Sequence, residues 1–323
     1  MPRWGRWRIL LATNSPPEAA AFIGSIASTL ANHVQAEVFF LASSFPAGGQ
    51  RLCVFHPVAR PRGLILYLHP FAEEMNKSRR MAAMQARAMA KAGFAVLQID
   101  LLGCGDSSGD FGDATWDAWL DDVALGLQYL QNRALDQVDP NNHPLSDLPV
   151  WLWGLRAGCL LAVDAARRMN LPCNFLFWQP PASGKALLQQ FLRLKIAGDL
   201  ASGQSKGVMD GMRKQLAGGG AVEIAGYFLS SGLANGLERS VLEPAADAAP
   251  ANRVEWIELS TREEATLTPV AVKTIAQWQS SRFAVRSRVV NGPAFWQTTE
   301  IEDAPDLINA TLQALTGEGA SAP

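Results

Sequence analysis

Histidine is scarce in this chain, and its placement matters more than its number. Only four occur in 323 residues, His33, His56, His69 and His143, and none follows His143. Histidine is the usual general base near neutral pH, so a site built from the C-terminal half must do without one. Cysteine is equally sparse. Cys53, Cys104, Cys159 and Cys173 lie scattered in apolar runs, without the paired spacing of a metal site, and read as buried free thiols. The formal net charge is only -2, so no basic excess points to nucleic acid or to an anionic membrane surface. No metal motif, phosphate loop or dinucleotide fingerprint occurs, and no cofactor is expected. The apolar run Ile9 to Ala12, behind Arg3, Arg6 and Arg8, is too short for a membrane span. Residues 1–35 read as a flexible N-terminal extension without a convincing cleavage site, and a cytoplasmic location is the expectation.

Apolar material, by contrast, is plentiful at 48%, enough for a sizeable core. Short β-rich runs alternate with helical patterns across 36–315. Ala36 to Leu41 and Arg51 to Val58, separated by Pro46-Ala-Gly-Gly49, predict an antiparallel hairpin. Continuous apolar runs at Gly63 to His69, Phe94 to Leu101, Val150 to Trp153 and Asn174 to Trp178 predict strands buried on both faces. Val254 to Leu259 and Arg286 to Asn291 predict two more. Helical spacing fits Met81 to Ala92, Thr115 to Asn132, Ala157 to Met169 and Asp303 to Leu315. This alternation predicts an α/β fold, with a mostly parallel central sheet of about eight strands and helices on both faces. Between residues 180 and 250 the strand pattern stops, which predicts an inserted helical cap over the carboxyl ends of the strands. Residues 316–323, Thr-Gly-Glu-Gly-Ala-Ser-Ala-Pro, predict a disordered tail.

The most informative segment is Val150-Trp-Leu-Trp-Gly-Leu-Arg-Ala-Gly-Cys159. An apolar strand runs into Gly154-x-x-x-Gly158 and then a helix, the layout of a nucleophile elbow. The central position, where a nucleophile would stand, is Arg156, and a guanidinium that stays protonated is no nucleophile. A cation at a helix N-terminus also opposes the helix dipole by about 0.3–1 kcal/mol. A carboxylate or a bound anion must therefore balance it. Glu73 and Glu74, after the strand ending at His69, are the candidates. Asp100-Leu-Leu-Gly-Cys-Gly-Asp-Ser-Ser-Gly109 supplies a tight glycine turn beside the same crevice. Leu68-His-Pro-Phe-Ala-Glu-Glu74 stands where a loop would offer an oxyanion amide. Pro70 has no N–H there, which leaves the amides of Phe71 and Ala72. After the last strand, where a base histidine belongs, the sequence reads Val290-Asn-Gly-Pro-Ala-Phe-Trp-Gln297.

Arg156, Leu155, His69, Phe71, Glu73, Glu74, Cys104 and Trp296 are thus the candidate ligand-binding set, with Gly154 and Gly158 shaping the elbow. If catalysis occurs, His69, Cys104, Glu263 and Glu264 are the candidate groups. No metal site is expected.

Several segments together resemble the exosortase A system-associated hydrolase 2 group of the α/β-hydrolase superfamily. They are Pro70 to Met81, Asp100 to Asp113, Leu152 to Gly158, Trp178-Gln-Pro180 with Gln190 to Leu194, and Phe295-Trp296 with Glu300-Ile301. The resemblance covers residues 36 to 315. It implies an α/β-hydrolase fold, a bacterial exopolysaccharide and envelope-sorting context, and partners from that system. The arginine in the elbow matches that group's pattern. Three functions fit these readings: a binding protein for a small acyl or anionic ligand on a hydrolase scaffold, an unconventional hydrolase or acyltransferase acting on esters or thioesters, or a protein–protein module.

Overall fold

The computed structural model describes residues 35–44, 48–135, 148–200, 207–244 and 252–317. Eight of its strands form one sheet: β1 (Glu37–Ala42), β2 (Gln50–His56), β3 (Leu64–Leu68), β4 (Ala95–Ile99), β5 (Val150–Leu155), β6 (Asn174–Trp178), β9 (Arg253–Ser260) and β10 (Ala284–Asn291). Their order across the sheet is β1-β2-β4-β3-β5-β6-β9-β10. β1 pairs antiparallel with β2, and β2 with β4; every other neighbouring pair is parallel.

Strand alternation divides the core between two sides of this sheet. Leu64, Leu66 and Leu68 pack into one cluster, Ile65 and Tyr67 into the other. On β5, Leu152 goes to the first side while Trp151, Trp153 and Leu155 go to the second. That is the period of two expected of a strand buried on both faces. Helices α2 (Trp116–Leu135) and α3 (Ala157–Met169) cover the first side. Helices α1 (Glu73–Lys91) and α8 (Pro305–Thr316) cover the second.

Between β6 and β9 lie α4 (Gly184–Leu200), α5 (Val208–Ala217), the short antiparallel ribbon β7 (Val222–Ile224) with β8 (Tyr227–Leu229), and α6 (Ser231–Arg239). The sequence predicted only helix here. The ribbon turns through Ala225 and Gly226, both at positive φ (49° and 83°), the geometry of a two-residue hairpin. Alanine is a poor signal for a left-handed position, so the turn does not announce itself.

Other boundaries moved for identifiable reasons. α1 starts at Glu73 rather than Met81, because its first turns carry Glu73, Glu74, Asn76, Lys77, Arg79 and Arg80 and show no apolar period. α7 (Pro269–Ser280) was not expected, although Thr268 caps it by accepting from the Ala271 amide and Pro269 stands at its first turn. α8 runs through Thr316 and ends on Gly317 at φ 76°, so the expected tail begins one residue too early. Its remainder, 318–323, and the N-terminal extension up to residue 34 lie outside the described residues.

Candidate functional site

β5 sits mid-sheet between β3 and β6, and its last residue, Leu155, leads straight into Arg156. Arg156 adopts φ 54°, ψ -116° and is the N-cap of α3. A non-glycine residue at positive φ is strained by about 1–3 kcal/mol, so the surroundings must hold it. They do so on both sides. The Arg156 amide donates to the Trp178 carbonyl at 3.0 Å, and the Cys159 amide donates to the Arg156 carbonyl at 3.0 Å. A Cβ on Gly154 would lie 2.5 Å from the Cys159 amide nitrogen, and one on Gly158 would lie 2.0 Å from the Leu68 carbonyl oxygen. Only glycine fits either position, which is why the two flank the turn.

The guanidinium is mostly buried, at 12% side-chain exposure, and Glu74 at 19% is its partner. Nε donates to both Glu74 oxygens at 3.3 and 3.4 Å, and Nη2 donates to Oε1 at 3.2 Å. Nη2 also donates to Gln190 Oε1 at 2.9 Å, from α4. Gln297 Nε2 adds a third donor to Glu74 at 3.2 Å. The Trp296 ring centre lies 5.9 Å from the guanidinium carbon, a cation–π distance. A bidentate pair of this kind suits arginine and not lysine. Of the two acids expected to balance Arg156, it is Glu74 that does so. Glu73 turns away, accepting from the Tyr227 hydroxyl at 2.7 Å and from Asn76 at 3.1 Å.

A cleft of about 340 Å³ opens beside this pair. Phe71, Leu187, Phe191, Leu194 and Trp296 form its apolar wall; Glu73, Glu74, Lys77, Gln190 and Gln297 bring its polar groups. Lys77 Nζ donates to the Thr298 carbonyl at 2.6 Å. Gln190 and Gln297 were not singled out from sequence, since a carboxamide carries no recognisable chemistry of its own. Their only sequence signal is that each lies within or next to a segment carrying the family resemblance.

No family model matches the chain, and no curated protein matches it. Solved structures do. Est1E from Butyrivibrio proteoclasticus with ferulic acid bound superposes with TM-score 0.59 at 15% identity, covering 88% of this chain and 100% of that one. A thermostable carboxyl esterase from Bacillus coagulans, in complex with glycerol, gives 0.54 at 14%, covering 88% and 98%. A putative hydrolase from Agrobacterium vitis gives 0.52 at 13%, covering 88% and 98%. With the strand order above, these decide the architecture. The chain has the α/β-hydrolase fold.

The positions that this fold offers to a reaction are occupied as follows. His69 follows β3 and is buried. Its Nδ1 meets the Pro70 carbonyl at 2.9 Å, and its Nε2 meets the Leu101 amide at 3.2 Å. An amide can only donate, so Nε2 is the acceptor and Nδ1 carries the proton. Burial lowers the ring's pKa. Both nitrogens are spent on backbone, which corrects its candidacy as a base or ligand group. Cys104 is also buried, and burial pushes its thiol up, away from the reactive thiolate. Glu263 and Glu264 are exposed in the turn after β9, outside the residues that line the cleft. Leu155 is fully buried in the core on the α1 side and does not line the cleft, a second correction. Phe71 and Trp296 do line it. After β10, Phe295 and Trp296 pack where the sequence had no histidine to offer. The structure adds Glu258 on β9, a buried acid that accepts from Trp256 Nε1 at 2.8 Å and whose pKa is raised by burial. Among the described residues, no helix is long and apolar enough to cross a membrane, and no cluster of histidine, cysteine and acid side chains could hold a metal ion.

Proposed function

We propose that this hydrolase-like protein binds a small acyl or anionic ligand in the cleft beside the elbow and forms no covalent intermediate with it. The observation that carries the proposal is the Arg156–Glu74 pair, because the residue at the elbow is a cation already bonded to an acid. Nucleophilic catalysis on this fold needs a nucleophile within hydrogen-bond reach of a base. The candidates offered by the sequence speak against one: the ring nitrogens of His69 are committed to backbone and the Cys104 thiol is held protonated. The elements between β6 and β9 act as a cap over the ligand, since Leu187, Gln190, Phe191 and Leu194 of α4 form one wall of the cleft. The family resemblance adds a setting, a bacterial exosortase and exopolysaccharide system, whose proteins are the natural partners to test.

The test is a fluorophosphonate probe together with a panel of short acyl esters and thioesters, applied to the unmodified protein and to Arg156→Ala. Neither should be labelled or turn over substrate above background, while acyl compounds should raise the melting temperature of the unmodified protein. Saturable labelling that disappears on mutating one serine would overturn the proposal.

A further inference from the structure

The charge and hydrogen-bond inventory of the cleft narrows the ligand class. The inference rests on the reading that the cleft binds a ligand, and concerns which one. An anion would be expected to seek Arg156, yet that guanidinium is already neutralised. Glu74 takes Nε and Nη2, and Gln297 steadies Glu74 from the other side. Of the charged side chains lining the cleft, Glu74 is balanced by Arg156 and Glu73 stands against Lys77, so no net positive charge faces a ligand. A carboxylate or phosphate entering here would find no unpaired guanidinium, and would have to displace Glu74 to reach the arginine.

The same contacts leave a neutral donor. Gln190 accepts from Arg156 Nη2 through Oε1. This fixes which end of the carboxamide is which, and leaves the Nε2 hydrogens of an exposed, cleft-lining residue without a partner among the described residues. A carbonyl oxygen is the complement of that donor. The surrounding wall of Phe71, Leu187, Phe191, Leu194 and Trp296 suits a hydrocarbon chain. With 340 Å³ available, and about 30 Å³ for each water-sized group, the cleft admits on the order of ten non-hydrogen atoms. We infer that the cleft takes an uncharged medium-chain acyl derivative, an amide or ester, whose carbonyl accepts from Gln190, and that it discriminates against the free fatty acid. Arg156 then acts as a positioning residue: it orients the carboxamide that recognises the ligand.

The probes are N-methyloctanamide and octanoate, matched in chain length, with binding to the full chain measured by calorimetry near neutral pH. The amide should bind at least about tenfold tighter, about 1.4 kcal/mol. Gln190→Leu should weaken the amide by about that factor and leave octanoate unchanged. Gln190→Glu keeps a partner for Arg156 but has no N–H to donate, and should weaken the amide equally, which guards against a packing effect of leucine. Glu74→Gln should free Arg156 and raise octanoate affinity. Equal or tighter binding of octanoate by the unmodified protein would overturn this inference and leave ligand binding standing. Binding of neither probe at millimolar concentration would overturn both.

Discussion

The Arg156–Glu74 pair can be weighed by a double-mutant cycle, with Glu74→Ala and Arg156→Ala alone and together. Exposed ion pairs are worth about 0–1 kcal/mol, while removing one partner of a fully buried pair costs about 3–5 kcal/mol. At 12% and 19% side-chain exposure this pair lies between those limits. Each single substitution also strands a bonded neighbour: Gln297 loses its acceptor when Glu74 goes, and Gln190 loses its donor when Arg156 goes. Each should therefore lower the unfolding free energy by about 2 kcal/mol. The double variant should cost about 1.5 kcal/mol less than the sum, because no charge is then left alone. For a domain of this size about 2 kcal/mol lowers the melting temperature by about 4 °C, and urea melts give the free energies directly. Additivity within about 0.5 kcal/mol would show that the two residues do not interact in solution, and the charge argument for the site would fall with them.

Three further outcomes are expected. Arg156→Ser should acquire neither fluorophosphonate labelling nor esterase activity, since a serine there finds no histidine base; gel labelling decides it, and a labelled band would refute the account of the elbow. Gly158→Ala should destabilise the chain by at least about 2 kcal/mol in urea melts, because its methyl would meet the Leu68 carbonyl at 2.0 Å and the neighbours are backbone that must shift; a neutral result would mean the elbow is not packed as described. Burial lowers the His69 pKa below its ordinary value of 6.5, so the stability of the neutral ring is fully present above that value and is lost as pH falls from it towards the folded pKa. His69→Gln should thus lose less stability than the unmodified protein between about pH 7.5 and about pH 5.5, measured by urea unfolding at both; an unchanged difference would mean the ring is not held neutral.

How much of this was legible in the sequence depended on whether one residue's signal stood alone. Buried parallel strands announce themselves by continuous apolar runs, so β3, β5 and β6 appeared within two residues of their observed bounds. Gly154 and Gly158 were legible because only glycine fits the turn, and the lack of histidine after β10 needed no structure at all. Arg156 required a counter-charge by electrostatics, but sequence could offer Glu73 and Glu74 only as equals. Their separation depends on the first turn of α1, which aims Glu74 at the elbow and Glu73 at Tyr227 of the ribbon. Position in sequence could not show that Leu155 faces the core, because a one-residue change of strand register reverses the face. Gln190 and Gln297 were invisible for a different reason. Their role comes from what Arg156 and Glu74 do to them across 34 and 223 residues of chain.

The pairing of Arg156 with Glu74 also sets the path by which an ordinary nucleophile could be introduced here. Changing Arg156 first leaves the Glu74 carboxylate half-sheltered and alone, beside the place where an acyl transfer would develop negative charge. Changing Glu74 first leaves a guanidinium at the head of a helix with no counter-charge to offset the dipole, only the Gln190 oxygen and the Trp296 ring. Either order crosses a state that is less stable than the start. The two side chains therefore act as a ratchet, each making the other's replacement costly, and the arginine elbow is locked in by its partner as much as by the strained turn that presents it.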